Sequence, residues 1–574
     1  MGKLYRYIRP YVGYICLTLF IKTMGAMAEL MIPYLMKSIL SRGAEAGNTR
    51  LVFFYGGMML LSAFACLVLN ISANRMSAQS SGKITLALRH DLFEKLANLS
   101  TRQIDELTVS SAESRLTSDT YNINQLLARL QRVGVRAPIL LIGGIGMMLT
   151  MDAGLALILI ALLPLIGLIV YFVTKTSIPL YTRQQSVLDR VVRTVQENIT
   201  GIRVIKALSK TAHEKARFNS VNEELAAIDR KAGSITAITN PASSLVLNLG
   251  LTLVVLIGGY RVNAGLSESA TLVAFLQFFT MILNAMLGIT RIFVMWSKGE
   301  ASALRVAEVL ALPEDLTVLS ESMREDQPAH IEFRNVRFSY TGRGDNLTDL
   351  SFRLERGQTL GILGATGSGK STLVNLLMRL YDADAGQILI DGRDIRTIPE
   401  SDLLSKFGVV FQNDFLAEGT IADNIRFFRD IPAEVLAQAS QDAQAASFIA
   451  EKDGGMDADV AVRGNNLSGG QKQRLLIARA LAGNPEILVL DDASSALDYQ
   501  TDAHFRAALR ANYRNTTTVL IAQRVSSLRH ADLILVLSDG QVIGAGSHDR
   551  LMDSCEEYRI IAQTQMGAEE EVAV

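Results

Sequence analysis

A glycine-rich segment near residue 364 has the residue types and spacing of a phosphate-binding loop. Glycines let successive backbone N–H groups converge on an anion, with a helix N-terminus behind them. An apolar strand pattern before the segment and an apolar helix pattern after it favour this interpretation over a glycine-rich turn without a ligand. The spacing G-x-x-x-x-G-K-[ST] covers Gly364, Ala365, Thr366, Gly367, Ser368, Gly369, Lys370, Ser371 and Thr372. The sequence therefore predicts a nucleotide site in which Lys370 reaches the β- and γ-phosphates and Ser371 holds Mg²⁺.

Two adjacent carboxylates end an apolar strand pattern further along the chain. Asp491 and Asp492 follow the apolar run from Ile487 to Leu490. Carboxylate oxygens are ligands that Mg²⁺ prefers, and a carboxylate beside a metal-bound anion can polarise an attacking water. The sequence therefore predicts that Asp491 serves the metal and Asp492 the water.

Three further stretches carry residues suited to a nucleotide. Tyr340 follows a strand pattern before the loop, where its ring could stack on a base or simply lie exposed on the strand. Gln412 is a polar residue at the end of another apolar strand pattern. The run Leu467-Ser468-Gly469-Gly470-Gln471 opens a helix, so its backbone donors and Ser468 predict a second anion-binding helix N-terminus.

The composition points to a membrane protein with more than one domain. The chain has 574 residues, 49% of them hydrophobic, and a mean hydropathy of +0.24. A net charge of −1 gives no reason to expect a nucleic acid partner. The three cysteines lack the spacing of a metal or redox motif, so they are interpreted as packing residues.

Six stretches in the first half are long and apolar enough to cross a bilayer, which takes about 20 residues for each helix. Lysine and arginine are concentrated in the long segments that follow the second and fourth stretches, and the N-terminus is basic as well. The positive-inside bias therefore places both termini and both long segments in the cytoplasm. The predicted spans are approximately Val12 to Ile39, Leu51 to Ile71, Val133 to Met151, Ala153 to Val173, Pro241 to Tyr260 and Ala270 to Val294.

The apolar spans end before residue 312, and from Ile331 the pattern changes to strands and then to alternating strands and helices. This change predicts a six-span membrane domain over residues 1–312, a linker over 313–330 and an α/β domain with a buried sheet over 331–574. The two long cytoplasmic segments have helical periodicity with turns near Val109 to Leu116 and Thr200 to Leu208. These turns either contact the soluble domain or are solvated helix hairpins.

Two ionisable residues fall inside the first predicted span. Lys22 and Glu29 are seven residues apart and so lie on nearly the same helix face. Charged residues are costly in a bilayer and commonly mark a functional cavity. We therefore consider that they line a polar cavity, with a structural pair or a snorkelling lysine as the alternatives.

The order of the phosphate loop, Gln412, the run 467–471, Asp491-Asp492 and the segment from Ser495 to Asp498 resembles the cassette of an ATP-binding cassette (ABC) transporter. The six preceding spans resemble the exporter branch of that family. The resemblance implies that Tyr340 stacks on adenine, that Gln412 links Mg²⁺ to the membrane helices and that Asp498 belongs to a segment that communicates across a dimer. It also implies that the run 467–471 closes over the ATP of a second subunit, and that the two turns are coupling helices.

Two positions depart from the family pattern. Asp492 stands where the family usually has a glutamate base, and Gln523 stands where it usually has a histidine near the γ-phosphate. Because aspartate is one methylene shorter and glutamine carries no positive charge, hydrolysis at the ATP site of this chain is expected to be weak. The pattern resembles the degenerate half of a heterodimeric bacterial exporter. A homodimer with a slower site, a chiefly regulatory ATP-binding subunit and an importer on an exporter fold stay open.

The sequence predicts a multi-pass protein of the cell membrane that contacts membrane lipids. The expected substrate is a small amphipathic molecule such as a drug, a lipid or a peptide. Nothing in the residues chooses among these substrates.

Overall fold

The computed structural model describes residues 4–313, 315–320, 329–412, 414–493 and 495–572. These residues form two compact units. The first unit contains the residues up to Asn98 and those from Thr108 to Leu312, and the second contains Leu99–Leu107 and the chain from Pro313 onward.

The first unit is helical throughout its regular structure. Its helices are α1 (Tyr5–Ile8), α2 (Val12–Ser38), α3 (Thr49–Ala97), α5 (Val109–Ser114), α6 (Thr120–Met151), α7 (Ala153–Thr200), α8 (Ile202–Ala207), α9 (Thr211–Ala237), α10 (Thr239–Asn263) and α11 (Ser269–Leu310). The helix α4 (Thr101–Leu107) lies within the chain segment that belongs to the second unit.

Six helical segments among the described residues are long and apolar enough to cross a membrane. They lie in α2, α3, α6, α7, α10 and α11, which confirms the predicted six-span architecture. Several of these helices are longer than a bilayer requires: α3 has 49 residues and α7 has 48. At about 1.5 Å for each residue, such helices extend well beyond a hydrocarbon layer of about 30 Å.

One short turn between spanning helices is fixed by a single carboxylate. Asp152 ends α6 and caps α7, since its Oδ1 accepts a hydrogen bond from the backbone N–H of Leu155 at 3.1 Å. Its Oδ2 accepts one from Arg261 Nε at 3.1 Å, near the end of α10. A helix cap and an ion pair therefore join three spanning helices at one point.

The buried core of the first unit lies between five of these helices. It contains both alanines and large apolar side chains. The helix α11 packs closely on α6 and α2. The aromatic members Phe275, Phe278 and Phe279 are at most 1% exposed.

Lys22 and Glu29 have different partners, and of the two only Glu29 lines the cavity of about 520 Å³ in the first unit. Lys22 is only 4% exposed, and its Nζ donates to Asn70 Oδ1 at 2.7 Å and to Asn74 Oδ1 at 3.1 Å on α3. Glu29 instead accepts two hydrogen bonds from Arg136 on α6. The lysine is therefore held by amides of the neighbouring helix and the glutamate by an arginine, so the two do not form the structural pair that was the alternative.

The second unit is built on β-strands with helices around them. Its strands are β1 (Ile331–Phe338), β2 (Leu347–Leu354), β3 (Thr359–Gly364), β4 (Ala385–Ile390), β5 (Arg393–Asp394), β6 (Phe407–Val410), β7 (Gly419–Thr420), β8 (Asp459–Val460), β9 (Ile487–Asp491), β10 (Thr517–Ile521), β11 (Leu533–Ser538) and β12 (Gln541–Gly546). Its helices beyond α4 are α12 (Lys370–Leu377), α13 (Glu400–Leu404), α14 (Ile421–Arg426), α15 (Ala433–Asp442), α16 (Ala446–Ala450), α17 (Gly469–Ala482), α18 (Tyr499–Asn512), α19 (Val525–Leu528), α20 (His548–Ser554) and α21 (Glu556–Val572).

The main sheet has the strand order β12-β11-β3-β10-β9-β6. All neighbouring pairs from β11 to β6 are parallel, and only β12 is antiparallel to its neighbour. Every residue of β9 is buried, as expected for a parallel strand covered on both faces. A second, antiparallel sheet has the order β2-β1-β4-β5. The sequence-based prediction of an α/β domain after the membrane helices is therefore confirmed.

The segment Leu99–Leu107 groups with the second unit, whereas the sequence placed it in the membrane domain. Ser100 Oγ donates to Asp315 at 2.7 Å, and Gln103 Nε2 donates to the Pro313 carbonyl oxygen at 2.8 Å. The Tyr381 hydroxyl donates to the Asp105 carboxylate. These contacts involve α4, which precedes the turn expected at residues 109–116.

Removal of the Tyr381 hydroxyl is expected to loosen α4 from the rest of the second unit. Such a hydrogen bond contributes about 1 kcal/mol, so Tyr381→Phe should raise deuterium exchange over residues 101–107 by about fivefold. Exchange in β3 should not change. Ser100→Ala removes a bond near the end of the segment and provides a milder comparison. Unchanged exchange in Tyr381→Phe would show that the hydroxyl does not hold α4.

Candidate nucleotide site

Parallel pairing brings the ends of four strands to one edge of the main sheet. The loop 364–369 follows β3, Asp492 follows β9, Gln523 follows β10 and Gln412 follows β6. Ligands of open parallel sheets bind beyond the carboxyl ends of the strands. Residues more than 150 positions apart in sequence therefore meet at this edge.

The loop between β3 and α12 adopts a conformation that requires glycine. Gly367 has a φ of 85° and Gly369 a φ of 99°, both in the left-handed region. A Cβ atom at Gly369 would lie 2.9 Å from the Asn346 carbonyl oxygen and 2.7 Å from Leu347 Cδ2. Steric crowding adds to the backbone constraint, so this position excludes any larger residue.

Lys370 is held by the loop itself. Its Nζ donates to the carbonyl oxygens of Gly364 at 2.9 Å and Ala365 at 2.7 Å. Burial lowers the pKa of Lys370, and the charges of Asp491 and Asp492 oppose that effect. Ser368 lies in the same loop with its Oγ buried and without a hydrogen-bond partner among the described residues. A cationic group and an unpartnered hydroxyl in a loop of this shape suit a phosphate chain.

Ser371 and Asp491 bring two oxygen ligands together. Ser371 Oγ donates to Asp491 Oδ2 at 2.9 Å, although the residues are 120 positions apart. Burial raises the pKa of Asp491, the hydrogen bond from Ser371 lowers it, and the charge of Asp492 raises it further. A hydroxyl beside a buried carboxylate is a donor set suited to Mg²⁺, whose charge would favour the ionised form.

The two departures from the family pattern contact each other. Gln523 Nε2 donates to Asp492 Oδ2 at 3.2 Å. Asp492 has a φ of 53°, and its backbone N–H donates to the Ile521 carbonyl oxygen at 3.1 Å, which ties it to the end of β10. Burial raises the pKa of Asp492, while the charges of Lys370 and Arg524 lower it.

A cavity of about 240 Å³ is formed at this edge of the sheet. It collects most of the predicted loop residues together with the metal and water residues. Its lining consists of Asn346, Thr366, Gly367, Gly369, Lys370, Ser371, Thr372, Gln412, Asp491, Asp492, Ile521 and Gln523. Gln412 is exposed and lines the same cavity.

Tyr340 lies outside the cavity lining but is tied to the helix that starts there. Its hydroxyl accepts a hydrogen bond from Asn375 Nδ2 at 3.2 Å and lies 3.4 Å from Thr372 Oγ1. Its ring packs edge-to-face on Phe338 and Tyr381, with centroid distances of 4.8 and 5.1 Å. The side chain is 37% exposed, so a fixed aromatic ring remains accessible to a planar ligand.

The run Ser468-Gly469-Gly470-Gln471 begins α17 and is absent from the cavity lining. Ser468 and Gln471 form a capping box: Ser468 Oγ accepts from the Gln471 N–H at 3.3 Å, and Gln471 Oε1 accepts from the Ser468 N–H at 3.0 Å. The two sites predicted from the sequence are therefore separate features of one subunit.

Asp498 is the N-cap of α18. Its Oδ1 accepts from the Thr501 N–H at 2.8 Å, and its Oδ2 accepts from Thr501 Oγ1 at 2.7 Å. These hydrogen bonds lower the pKa of Asp498. The carboxylate thus fixes the start of a helix next to the segment 495–497, a role that the sequence analysis did not assign.

Sequence reasoning missed three residues that support the site. Asn346 lines the cavity and accepts from the Tyr340 N–H at 3.0 Å. Asn375 holds the Tyr340 hydroxyl. Gln565 of α21 donates to the Gln523 carbonyl oxygen at 2.9 Å and accepts from the Val525 N–H at 2.7 Å. Asn375 lies three residues after Thr372 on α12, and this helical spacing was the available signal for it.

Comparison with known proteins identifies the family. Residues 15–286 match the ABC transporter transmembrane region, and residues 347–495 match the ABC transporter family. An ABC transporter ATP-binding protein of Mycobacterium tuberculosis is 32% identical over 98% of both chains. The chain belongs to the ABC transporters. An ABC transporter ATP-binding protein of Bacillus subtilis is 33% identical over 99% of both chains.

This ABC transporter has the exporter fold. The structure of a bacterial Atm1-family ABC exporter with ATP bound matches it with a TM-score of 0.80 and 25% identity, over 97% of this chain and 98% of that one. The chain is therefore an ATP-binding ATPase coupled to transport and a multi-pass membrane protein, and exporters of this type work with a second ABC subunit.

Replacement of the Tyr340 ring is expected to weaken ATP binding. Stacking of a base on an aromatic side chain contributes about 1–3 kcal/mol, so Tyr340→Ala should raise the Kd of ATP by about tenfold or more. Tyr340→Phe keeps the ring and loses only its hydroxyl contacts, so its Kd should stay within about threefold of the original. Equilibrium binding of labelled ATP to the purified chain measures both. Equal losses in the two variants would assign the effect to the hydroxyl and not to stacking.

Proposed function

We propose that this chain is one half of a heterodimeric ABC exporter whose own ATP site binds nucleotide but hydrolyses it slowly. The observation that supports the proposal is the hydrogen bond of 3.2 Å from Gln523 to Asp492. Asp492, which stands in the position of the base, therefore accepts a hydrogen bond from Gln523, which stands in the position of the histidine.

A general base must lie within hydrogen-bond reach of the water that it activates. Asp492 is one methylene shorter than glutamate, and one of its two carboxylate oxygens already accepts the Gln523 amide. A misplacement of about 1 Å can reduce a rate about a hundredfold. Both the length of Asp492 and its partner therefore favour slow hydrolysis.

Gln523 also changes the electrostatics of the site. Its amide donates a hydrogen bond but cannot become cationic, whereas a histidine can. Gln565 holds the backbone that follows Gln523, through the Gln523 carbonyl oxygen and the Val525 N–H. The amide is thus positioned to hold Asp492, and it adds no charge toward a γ-phosphate.

The parts that bind nucleotide are complete. Lys370 would hold the phosphates, and Ser371, Asp491 and Gln412 would hold Mg²⁺, which would neutralise phosphate charge. Ser468, Gly469, Gly470 and Gln471 retain the capped helix start that would close over the ATP of the partner subunit. Turnover would then take place mainly at the site built on the partner's phosphate loop.

Transport would follow from the difference in affinity between two states. ATP binding would bring the nucleotide domains together and open the membrane domain outward, and hydrolysis at the partner's site would reset both. The protein would lie in the cell membrane, with its nucleotide domain and both termini in the cytoplasm.

The proposed substrate is an amphipathic molecule. One relative, named as a fatty acid ABC transporter ATP-binding/permease protein of Mycobacterium bovis, is 32% identical over 82% of this chain and 74% of that protein. Its name supports an amphipathic lipid-like substrate in preference to a hydrophilic solute.

Restoration of the usual residues tests the degenerate site. In a pair whose partner subunit has its own catalytic base neutralised, Asp492→Glu with Gln523→His should raise the ATPase rate by about tenfold or more, because it supplies both reach and charge. The original chain alone should show little hydrolysis and normal ATP binding. Lys370→Ala in the restored variant is the matched control, and it should abolish the gain.

ATPase measurements on the original chain alone and on the pair with an unaltered partner subunit separate the remaining alternatives. Robust cooperative hydrolysis by the original chain alone would contradict the heterodimer and favour a homodimer. If restoration barely changes turnover of the pair but uncouples transport, the chain is chiefly a regulatory subunit.

A further inference from the structure

The membrane unit contains an ion pair beside an open cavity of about 520 Å³. Glu29 of α2 and Arg136 of α6 form it: Arg136 Nε donates to Glu29 Oε2 at 3.0 Å and Nη2 donates to Oε1 at 2.5 Å. Both residues line the cavity. Ionisable groups inside a membrane domain are costly, and a position beside a cavity makes a role in binding the first hypothesis.

The two partners of this pair are not equally accessible. The Glu29 side chain is 20% exposed, and both of its oxygens accept from Arg136. The Arg136 side chain is 43% exposed and uses two of its five N–H donors in this pair. Among the described residues, the other three donors of Arg136 have no partner, whereas both Glu29 oxygens have one. Arg136 is therefore the group of this pair that is available to a ligand in the cavity.

The part of the cavity wall that α11 forms carries polar residues on one face of that helix. Gln277, Thr280 and Asn284 are three and four residues apart, all are exposed, and all line the cavity. The Gln277 and Asn284 amides make no hydrogen bond with any residue that the structure describes, whereas Thr280 Oγ1 donates to the Leu276 carbonyl oxygen at 3.0 Å. Unpaired amides within a membrane domain are unfavourable unless they face water or a ligand.

The charges around the pair sum to a positive value. Lys22 lies within electrostatic range of Glu29, Arg136 and Arg132, which gives three cations to one carboxylate. Apolar side chains complete the cavity: Leu140, Leu276, Met281 and Ala285. The cavity thus combines the Arg136–Glu29 pair, in surroundings of net positive charge, with an apolar wall.

We propose that this cavity is a substrate subsite for an amphiphile with an anionic headgroup, in which Arg136 binds the anion and Glu29 holds Arg136 until the ligand arrives. The inference rests on the proposed function, the export of an amphipathic substrate. The anion accepts hydrogen bonds from the free Arg136 donors and from the amides of Gln277 and Asn284. Its alkyl chain packs on Leu140 and Met281.

Glu29 acts as an internal counter-ion that competes with the substrate for Arg136. Its neutralisation removes this competitor and leaves the guanidinium fully available to an external anion. A purely structural ion pair behaves differently, because loss of either partner damages the same contact equally. The two single variants therefore distinguish binding from structure.

Equilibrium binding to the full-length chain in phosphatidylcholine nanodiscs, without nucleotide, tests the subsite. The probes are dodecanoate and dodecyltrimethylammonium, which share a chain length and differ in headgroup charge. Arg136→Gln should reduce saturable dodecanoate binding by about tenfold, and Glu29→Gln should increase it by about threefold. Binding of the cationic probe should not fall in Arg136→Gln.

Three controls keep the test specific. Arg136→Lys keeps the charge and should retain most dodecanoate binding, which guards against misfolding of Arg136→Gln. Arg132→Gln removes a cation one turn away that does not line the cavity, so it should cost no more than about twofold. Phosphatidylglycerol in the nanodiscs should compete with dodecanoate if the anion comes from membrane lipid, and should not if it comes from solution.

Two results would overturn the subsite. One is dodecanoate binding that is unchanged in Arg136→Gln, and the other is an equal loss in Glu29→Gln and Arg136→Gln. Because no nucleotide is present, these results do not depend on how the ATP sites share hydrolysis. The experiment can therefore reject the subsite while the heterodimer stands, or support the subsite while the heterodimer fails.

Discussion

Parallel pairing of β3 with β10, and of β10 with β9, is the constraint on which the nucleotide site depends. The hydrogen bonds of this sheet bring the phosphate loop, Asp492 and Gln523 to one edge without any direct link in sequence. Tertiary packing maintains the arrangement, since the strand residues are buried on both faces. A change in register by one residue would turn the β9 and β10 side chains to the opposite faces and separate the site residues.

Because of this strand pairing, the chemical roles of Asp492 and Gln523 depend on each other. Each follows the end of its own strand, and β9 and β10 are neighbours, so a side chain at one position contacts the other. A glutamate with a histidine could place a base and a cation around a phosphate. An aspartate with a glutamine forms instead a hydrogen bond between the two. The slow hydrolysis that we propose would therefore come from the pair of residues, because the contact between them depends on both side chains.

Local sequence patterns were sufficient for the features that depend on neighbours in the chain. Apolar length predicted the six spans, and the spacing of Gly364 to Thr372 predicted a loop between a strand and a helix. Contacts between distant elements could not be predicted in this way. The pairing of Glu29 with Arg136, the burial of Lys22 between two asparagines and the contact of Gln565 with Gln523 all depend on which helices pack together. The bounds of α4 were missed because residues 98–108 lack the strong glycine and proline signals that mark a turn.

A shared physical feature connects the ATP site with the membrane cavity. In each, the cation best suited to a ligand already has a partner within the chain: Lys370 donates to two carbonyl oxygens, and Arg136 uses two of its five donors on Glu29. Ligand binding at Lys370 exchanges hydrogen bonds, so the net gain for each exchanged bond is about 0.5–1.5 kcal/mol and not the full strength of the bond. At Arg136 the proposed anion uses the remaining donors and shares the positive charge with Glu29. Selectivity must then come from the difference in binding free energy between the partner within the chain and the ligand. A triphosphate brings several negative charges and replaces two neutral carbonyls at Lys370 easily, whereas a single anionic headgroup competes with a full carboxylate at Arg136. With the proposed roles of the two sites, ATP should bind more tightly than the substrate, and a transporter that must release its substrate needs that order of affinities.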